Sequence, residues 1–352
     1  MRVAFVSETT VFQGATGPRT RLHRVARGLA ARGHEVTVFC TQWWSGYEAS
    51  TTQDGVVYRA VTTEPATTSF LFRLPAFLLR YRPDVIHASP EPPGTVVAAS
   101  VGGTLARAPL VVEWTGEESV PESRVARYAT RTPATIVTPS ELVRTTVRER
   151  GATAENTRVI PEGIDMDRVR EIDPNEDADV VFARRLDGSA NVQSLLLGLA
   201  ELRDRDWSAT IIGDGPKRDE FESQAADLRI DGRVTFTGDV PRSERIATYR
   251  GAHTFVQTAY RETFATELLW ALACGCVGIV EYQAESSAHE LIETYERSFR
   301  VTDDQELAAA IVEAGGYDRR SVDESFDRYD HDAVLQQYVD CYEECRAESG
   351  LF

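Results

Sequence analysis

Lysine is almost absent from this chain of 352 residues: Lys217 is alone among 38 basic residues, and the rest are arginine. An excess of positive charge is missing too. Against those 38 stand 55 acidic residues, a net charge of −17, which excludes a generic nucleic-acid binder, whose footprint would be basic. An acidic, lysine-poor composition points to a salt-accumulating microbe, because a Debye length of about 3 Å at molar salt screens repulsion among carboxylates. A GC-rich genome would explain arginine over lysine, but not the surplus of Asp and Glu. No run approaches the ~20 apolar residues of a membrane helix, and the best candidate, 96–112, is broken by Arg107. Glu8 interrupts the opening MRVAFVSE too early for the apolar core of a secretory leader, so a cytoplasmic protein is expected. Five cysteines form no regular framework, as in a reducing compartment. Neither Cys274 with Cys276 nor Cys341 with Cys345 has a second pair to complete a zinc site, so no metal is expected. Also lacking are G-x-G-x-x-G after the first strand, the P-loop and the G-x-S-x-G elbow. Those absences speak against a common nicotinamide dehydrogenase, a P-loop NTPase and a serine hydrolase of that type.

What is present reads as two α/β domains. The length suggests about two, and 42% apolar with 26% charged residues are globular values. Val3 to Val6 is a short apolar run suited to a buried parallel strand. After the polar loop Glu8 to Pro18, Leu22, Val25, Ala26, Leu29 and Ala30 recur at helical spacing, and Gly33 stands where a C-cap belongs. Strands follow at 35–39, 85–87, 110–113, 135–137 and 159–160. The polar, acidic stretch Asp165 to Asp179, with Pro174, suits an interdomain linker. A second series has strands at 180–182, 209–212, 234–236, 254–256 and 277–280, with helices between them. Alternation in both halves predicts two doubly wound, Rossmann-like parallel-sheet domains facing each other, with ligands at the carboxyl ends of the strands.

One turn, Gly213-Asp214-Gly215-Pro216, would direct backbone amides at an anion near a helix N-terminus; alone it is weak. The full set is more specific. Arg32-Gly33-His34-Glu35-Val36, Val159 to Asp165, the Gly213 turn, Arg233 to Gly238, Glu262-Thr263-Phe264-Ala265 and Ala271 to Gly275 occur in that order. The set resembles the group 1 (family 4-like) glycosyltransferases, the large retaining family with the two-domain GT-B fold. The likeness runs from residue 1 to about 293 and is strongest from Val180 on.

That resemblance implies an acceptor-side domain over 1–165, a linker over 166–179 and a nucleotide-sugar domain over 180–330. It also implies a C-terminal helix, within 331–352, that crosses back to the first domain. A hexose would pass with retention from a nucleotide-diphosphate sugar to a glycan, lipid or lipid-linked acceptor, with no metal or other cofactor. Arg185 matches the family's phosphate-binding arginine, whose planar fork suits a diphosphate. Glu262 matches the first acid of E-x7-E, which holds sugar hydroxyls. The amides of Phe264, Ala265 and Thr266 would open a helix toward the donor. Gly213, Gly238 and Val240 fall on the donor side, and Gly17 falls in the loop that approaches the donor phosphates. Phe70 to Arg82, large apolar residues mixed with arginines, matches a helix that in this family rests on a membrane; a packed crossover helix is the plainer expectation.

Three departures weaken the match. The family's donor-site lysine is Ala190, the second acid of E-x7-E is Trp270, and the histidine after the fourth strand is Thr115. Losing a cation at a dry phosphate site costs on the order of 2–4 kcal/mol of transition-state stabilisation, or about 30- to 1,000-fold in rate. Arg184, Lys217 and Glu267 are the candidates to compensate, Glu267 by taking over the ribose, while Trp270 is a candidate to stack on the base. Two alternatives follow. One is a catalytically weak GT-B protein that binds a glycan or a partner. The other is a nucleotide-sugar epimerase or hydrolase using Glu113, Glu117, Glu118 or Glu162.

Overall fold

A computed structural model describes residues 1–175 and 178–350. The chain divides into two compact units, Met1–Glu162 with the chain from Asp332 on, and Gly163–His331.

The first unit is built on eight strands: β1 (Arg2–Val6), β2 (Glu35–Thr41), β3 (Ser50–Gln53), β4 (Val56–Thr62), β5 (Val85–Ala88), β6 (Leu110–Glu113), β7 (Thr135–Thr138) and β8 (Thr157–Val159). Their order in the sheet is β3-β4-β2-β1-β5-β6-β7-β8. All neighbours are parallel except β3 and β4, an antiparallel hairpin. The central strands read as near-continuous apolar runs because helices cover both faces. Helix Gly17–Ala31 buries Leu22, Val25, Ala26 and Leu29, and Gly33, at φ +82°, ends it in the left-handed region. The C-terminal helix His331–Ser349 buries Val334, Leu335, Tyr338, Val339 and Tyr342 in the core shared with β1, β2 and helix Gly17–Ala31.

The second unit has a six-stranded, wholly parallel sheet, β9 (Ala178–Ala183), β10 (Ala209–Ile212), β11 (Val234–Gly238), β12 (Ala252–Gln257), β14 (Val277–Glu281) and β16 (Ser298–Val301). Their order is β11-β10-β9-β12-β14-β16. A short parallel pair, β13 (Arg261–Glu262) and β15 (Glu285–Ser286), lies beside it. Its cores are aliphatic and alanine-rich, and both Trp270 and Ala190 are buried in them.

Two expectations need correction. The first sheet is not purely parallel, because the Asp54-Gly55 turn folds β3 back on β4. The stretch 166–179 is not plain linker. Asp165 caps Arg168 at 3.0 Å, and Met166 and Val169, three residues apart on one face, are buried in the second unit's core. A helix, Met166–Glu171, therefore forms there.

Candidate functional site

In a doubly wound sheet the crevice opens where the strand order reverses. In the second unit that point lies between β9 and β12, and the chain leaving those strands carries Arg184 and Glu262. The Arg184 guanidinium forms an ion pair with the Glu262 carboxylate. It also donates to Ser189 Oγ at 3.1 Å and to the Arg261 carbonyl at 2.9 Å. Both side chains are about one-fifth exposed, so the pair faces the mouth of the sheet. The Ser287 amide donates to the Glu262 carbonyl at 2.8 Å and fixes its backbone.

Two glycines crowd the same place. Gly213, after β10, lies at φ +134°, and a Cβ there would stand 1.9 Å from the Arg184 carbonyl. Its amide donates to the carbonyl of Gly238 at 2.9 Å, and Gly238 itself lies at φ +76°. Only glycine permits this approach. Four of the sequence-chosen residues, Arg184, Gly213, Gly238 and Glu262, thus come together at the carboxyl ends of β9 to β12. Two amides of the Gly213 turn, however, are already taken within the protein. Gly213 donates to Gly238, Gly215 donates to Asp214 Oδ1 at 2.8 Å, and the next helix starts only at Arg218. The tight turn is here a lock between two loops.

Among the described residues, Arg185 shows no contact with this lock. Its side chain is 73% exposed, with Asp187 at 3.9 Å as a loose partner. Lys217 pairs with Glu220 on the surface. Ala190 is fully buried.

Glu267, Val240 and Trp270 form a second neighbourhood. Glu267 accepts from Arg242 at 2.9 Å, Arg245 at 3.0 Å and Tyr249 Oη at 2.6 Å. Arg245 also donates to the Val240 carbonyl at 3.1 Å. Trp270 is buried, with the Arg242 guanidinium 5.3 Å from its ring centre. Neither compensating role survives. Glu267 is engaged by three donors, which leaves it little capacity for ribose, and Trp270 packs in the core and is not free to stack on a base. Ala265, ahead of helix Thr266–Ala273, is buried, and the Thr266 amide already donates to the Phe264 carbonyl at 2.9 Å.

The first sheet reverses between β1 and β5. The chain leaving those strands supplies Ser7, Glu8 and Thr9 on one side and Ser89, Glu91 and Pro92 on the other, around a cavity of about 480 Å³. Gly17 begins the helix beside it, but the space over Gly17 is filled: a Cβ there would stand 2.6 Å from the Glu117 carboxylate. Partial burial, with Glu162 nearby, raises the Glu117 carboxyl above the usual range.

Near this cavity lies a buried polar network that apolar patterning alone does not reveal. Arg21 is 2% exposed. It donates to Glu113 at 2.7 Å, to the Ile160 carbonyl and Tyr338 Oη at 2.6 Å each, and to the Pro161 carbonyl at 3.1 Å. Glu162 stands 2.8 Å from Arg21 and also pairs with Arg24. His87 lies 3.2 Å from Glu113 and bonds Tyr342 Oη at 2.6 Å. Burial would raise the Glu113 carboxyl, but Arg21, His87 and the Tyr338 hydroxyl outweigh it and hold it well below the carboxylate range. The clue available was position: Arg21 lies one turn before Val25 on the buried stripe of its helix. Of the carboxylates that would have served an epimerase or hydrolase, Glu113 and Glu162 are committed to this network. Glu118 is held by the Thr115 amide and hydroxyl at 2.7 and 2.8 Å and by the Gly116 amide at 2.8 Å.

Comparison with known proteins agrees with this fold. Glycosyltransferase Family 4 matches residues 15–168, and Glycosyl transferases group 1 matches 164–314. The alpha-monoglucosyldiacylglycerol synthase of Streptococcus pneumoniae is 23% identical over 317 residues, covering 78% of this chain and 70% of that protein. The 2-deoxystreptamine glucosyltransferase of Streptomyces kanamyceticus is 28% identical over 167 residues, 43% of each. The solved structure of HepE from Anabaena in complex with UDP superposes with a TM-score of 0.74 at 19% identity, over 98% of this chain and all of that one. The match in structure is to the GT-B fold.

Proposed function

This chain belongs to the group 1 glycosyltransferases, and from that membership we propose that it moves a hexose, with retention, from a nucleotide-diphosphate sugar held by the second unit to a glycan or lipid-linked acceptor. One observation carries the reading: the Arg184–Glu262 pair stands at the strand-order reversal of the second sheet, walled by Gly213 and Gly238. Glu262 supplies an acceptor for sugar hydroxyls. Arg184 supplies a fixed cation for the leaving diphosphate, standing in for the lysine that Ala190 replaces, and Arg185 adds a second, mobile one. In the step, the bond between the anomeric carbon and the phosphate oxygen breaks while the acceptor oxygen bonds that carbon on the same face. The acceptor proton passes to the departing phosphate. Negative charge growing on that phosphate is what a pre-placed guanidinium stabilises. UDP-sugars are the first donors to test, since a fold relative holds UDP.

The helix Thr67–Tyr81 supports a further part of this reading, contact with the membrane surface. Phe70, Leu74 and Leu78 are buried, but Phe72 is 86% exposed and Leu79 is exposed beside Arg73 and Arg80. From Thr67 to Arg82 there is no carboxylate, in a chain of net charge −17. That face suits anionic lipid, and a relative is named for synthesis of a glycolipid. No described helix is long and apolar enough to cross a membrane.

The deciding experiment offers UDP-, GDP-, ADP- and dTDP-sugars to the protein in molar potassium chloride and follows binding and consumption, with Glu262→Gln and Arg184→Ala beside the wild type. Consumption of one donor, suppressed in both variants, supports the reading. Absence of binding to all four makes Ala190 and Trp270 marks of a dismantled donor site and favours a glycan- or partner-binding protein.

A further inference from the structure

Glu8 is the first residue but one after β1, and it is in an unusual state for a carboxylate. It is only 8% exposed. Its two oxygens lie 2.8 and 3.0 Å from one hydroxyl, Thr67 Oγ1, which has a single proton to give. Among the described residues no basic side chain stands within ion-pairing distance of it. A buried carboxylate with one neutral donor is costly unless something positive meets it. The side open to such a partner is the cavity at the strand-order reversal of the first sheet, which Glu8 lines.

The rest of the lining has the same character. Glu91 and Glu117 add two carboxylates, and Ser7 and Ser89 add hydroxyls. The one cation there, Arg19, donates to the Gly14 carbonyl at 3.0 Å. Three carboxylates against one guanidinium repel a phosphate and attract an ammonium, and the hydroxyls suit a polyol. The backbone holds this arrangement in place: the Thr41 amide donates to the Glu8 carbonyl at 2.9 Å, and the Ser89 amide donates to the Val6 carbonyl at 3.1 Å.

We propose that this cavity takes an amine-bearing polyol, such as an amino sugar or aminocyclitol, as the acceptor, with its ammonium on Glu8. The word acceptor rests on the transferase reading above; the binding of the amine does not. The test titrates the full chain with glucosamine, glucose and glucose 6-phosphate, three probes on one sugar ring with different charge, by calorimetry or ligand-observed NMR at low and at molar salt. Glucosamine is expected to bind best and glucose 6-phosphate worst. Glu8→Gln is expected to weaken glucosamine by about tenfold or more, the size of one largely buried charge-assisted contact, and to leave glucose unchanged. Glu91→Gln, an exposed substitution, is expected to act in the same direction by about twofold. The preference should shrink in molar salt. Tighter binding of glucose 6-phosphate, equal weakening of all three probes by Glu8→Gln, or no binding of any probe overturns the proposal. Binding of UDP-sugars, measured separately on the wild type, keeps its failure distinct from failure of the transferase reading.

Discussion

At the reversal of the first sheet the chain places Ser7, Glu8 and Ser89; at the reversal of the second it places Arg184 and Glu262. The scaffold is nearly the same in both cases, parallel strands whose carboxyl ends diverge and leave a mouth. The side chains differ in kind. The first mouth is lined by carboxylates and hydroxyls with one arginine at its rim. The second has an arginine anchored on a carboxylate, with a second, largely exposed arginine beside it. Topology therefore decides where a ligand sits, and the two or three residues after each strand decide its charge. On the readings proposed above, an anionic diphosphate suits the second mouth and a hydroxylated cation the first.

The largest expected effect breaks the first unit rather than its mouth. Arg21→Met removes one member of a buried network and leaves Glu113 and Glu162 without their central cation. Losing one partner of a buried pair costs about 3–5 kcal/mol, read as a lower denaturation midpoint. Acid acts through the same group. The Glu113 carboxyl is depressed in the folded state, so its contribution is complete above the unfolded value of about 4.3. It is lost as pH falls through the folded value. Wild-type stability should drop below about pH 4, and Glu113→Gln should start lower and follow a flatter curve. A variant of either kind with wild-type stability would mean that Arg21 serves the mouth above it instead of the fold.

Next in size is the second mouth. Arg184→Ala should lower donor consumption by about 10²- to 10³-fold, the range for one donor aimed at developing charge. Because the pair is partly exposed, stability should change by no more than about 1 kcal/mol. A loss of stability without a loss of rate would make the pair a structural brace and leave the comparison with only one functional mouth. Gly213→Ala comes after it. Positive φ and a carbonyl in the way of Cβ should cost about 1–3 kcal/mol and weaken donor binding as the Arg184 loop is pushed aside.

The sequence made the repeating strand-helix pattern readable because buried parallel strands are short apolar runs and their helices carry a 3.6-residue stripe. Arg184, Gly213, Gly238 and Glu262 were marked by the resemblance to the glycosyltransferase family and not by the strand pattern. Hairpin β3–β4 was missed although Asp54-Gly55, both at positive φ, is the dipeptide that a two-residue hairpin turn requires. Its first strand, Ser50–Gln53, is polar throughout and so lacks the apolar run that marks a buried strand. What Glu267 and Trp270 do was not legible, because a carboxylate three residues from a tryptophan reads the same whether it faces a ribose or Arg242. Glu8 was read only as an interruption of an apolar run, since its burial depends on Thr67, 59 residues away.

The smallest expected effect separates two neighbours. Arg184 and Arg185 are adjacent, yet one is anchored by three acceptors and the other is 73% exposed. Arg185→Ala should change stability by less than about 0.5 kcal/mol, as surface substitutions do. Its effect on rate tells which arginine meets the diphosphate. A fixed cation needs no reorganisation as charge develops, whereas a mobile one must first lose side-chain freedom. If the anchored residue does the work, Arg185→Ala raises KM a few-fold and leaves kcat nearly unchanged, while Arg184→Ala lowers kcat. If kcat falls further in Arg185→Ala, then Glu262 holds Arg184 as a brace that shapes the mouth, and the exposed arginine closes onto the donor when it binds.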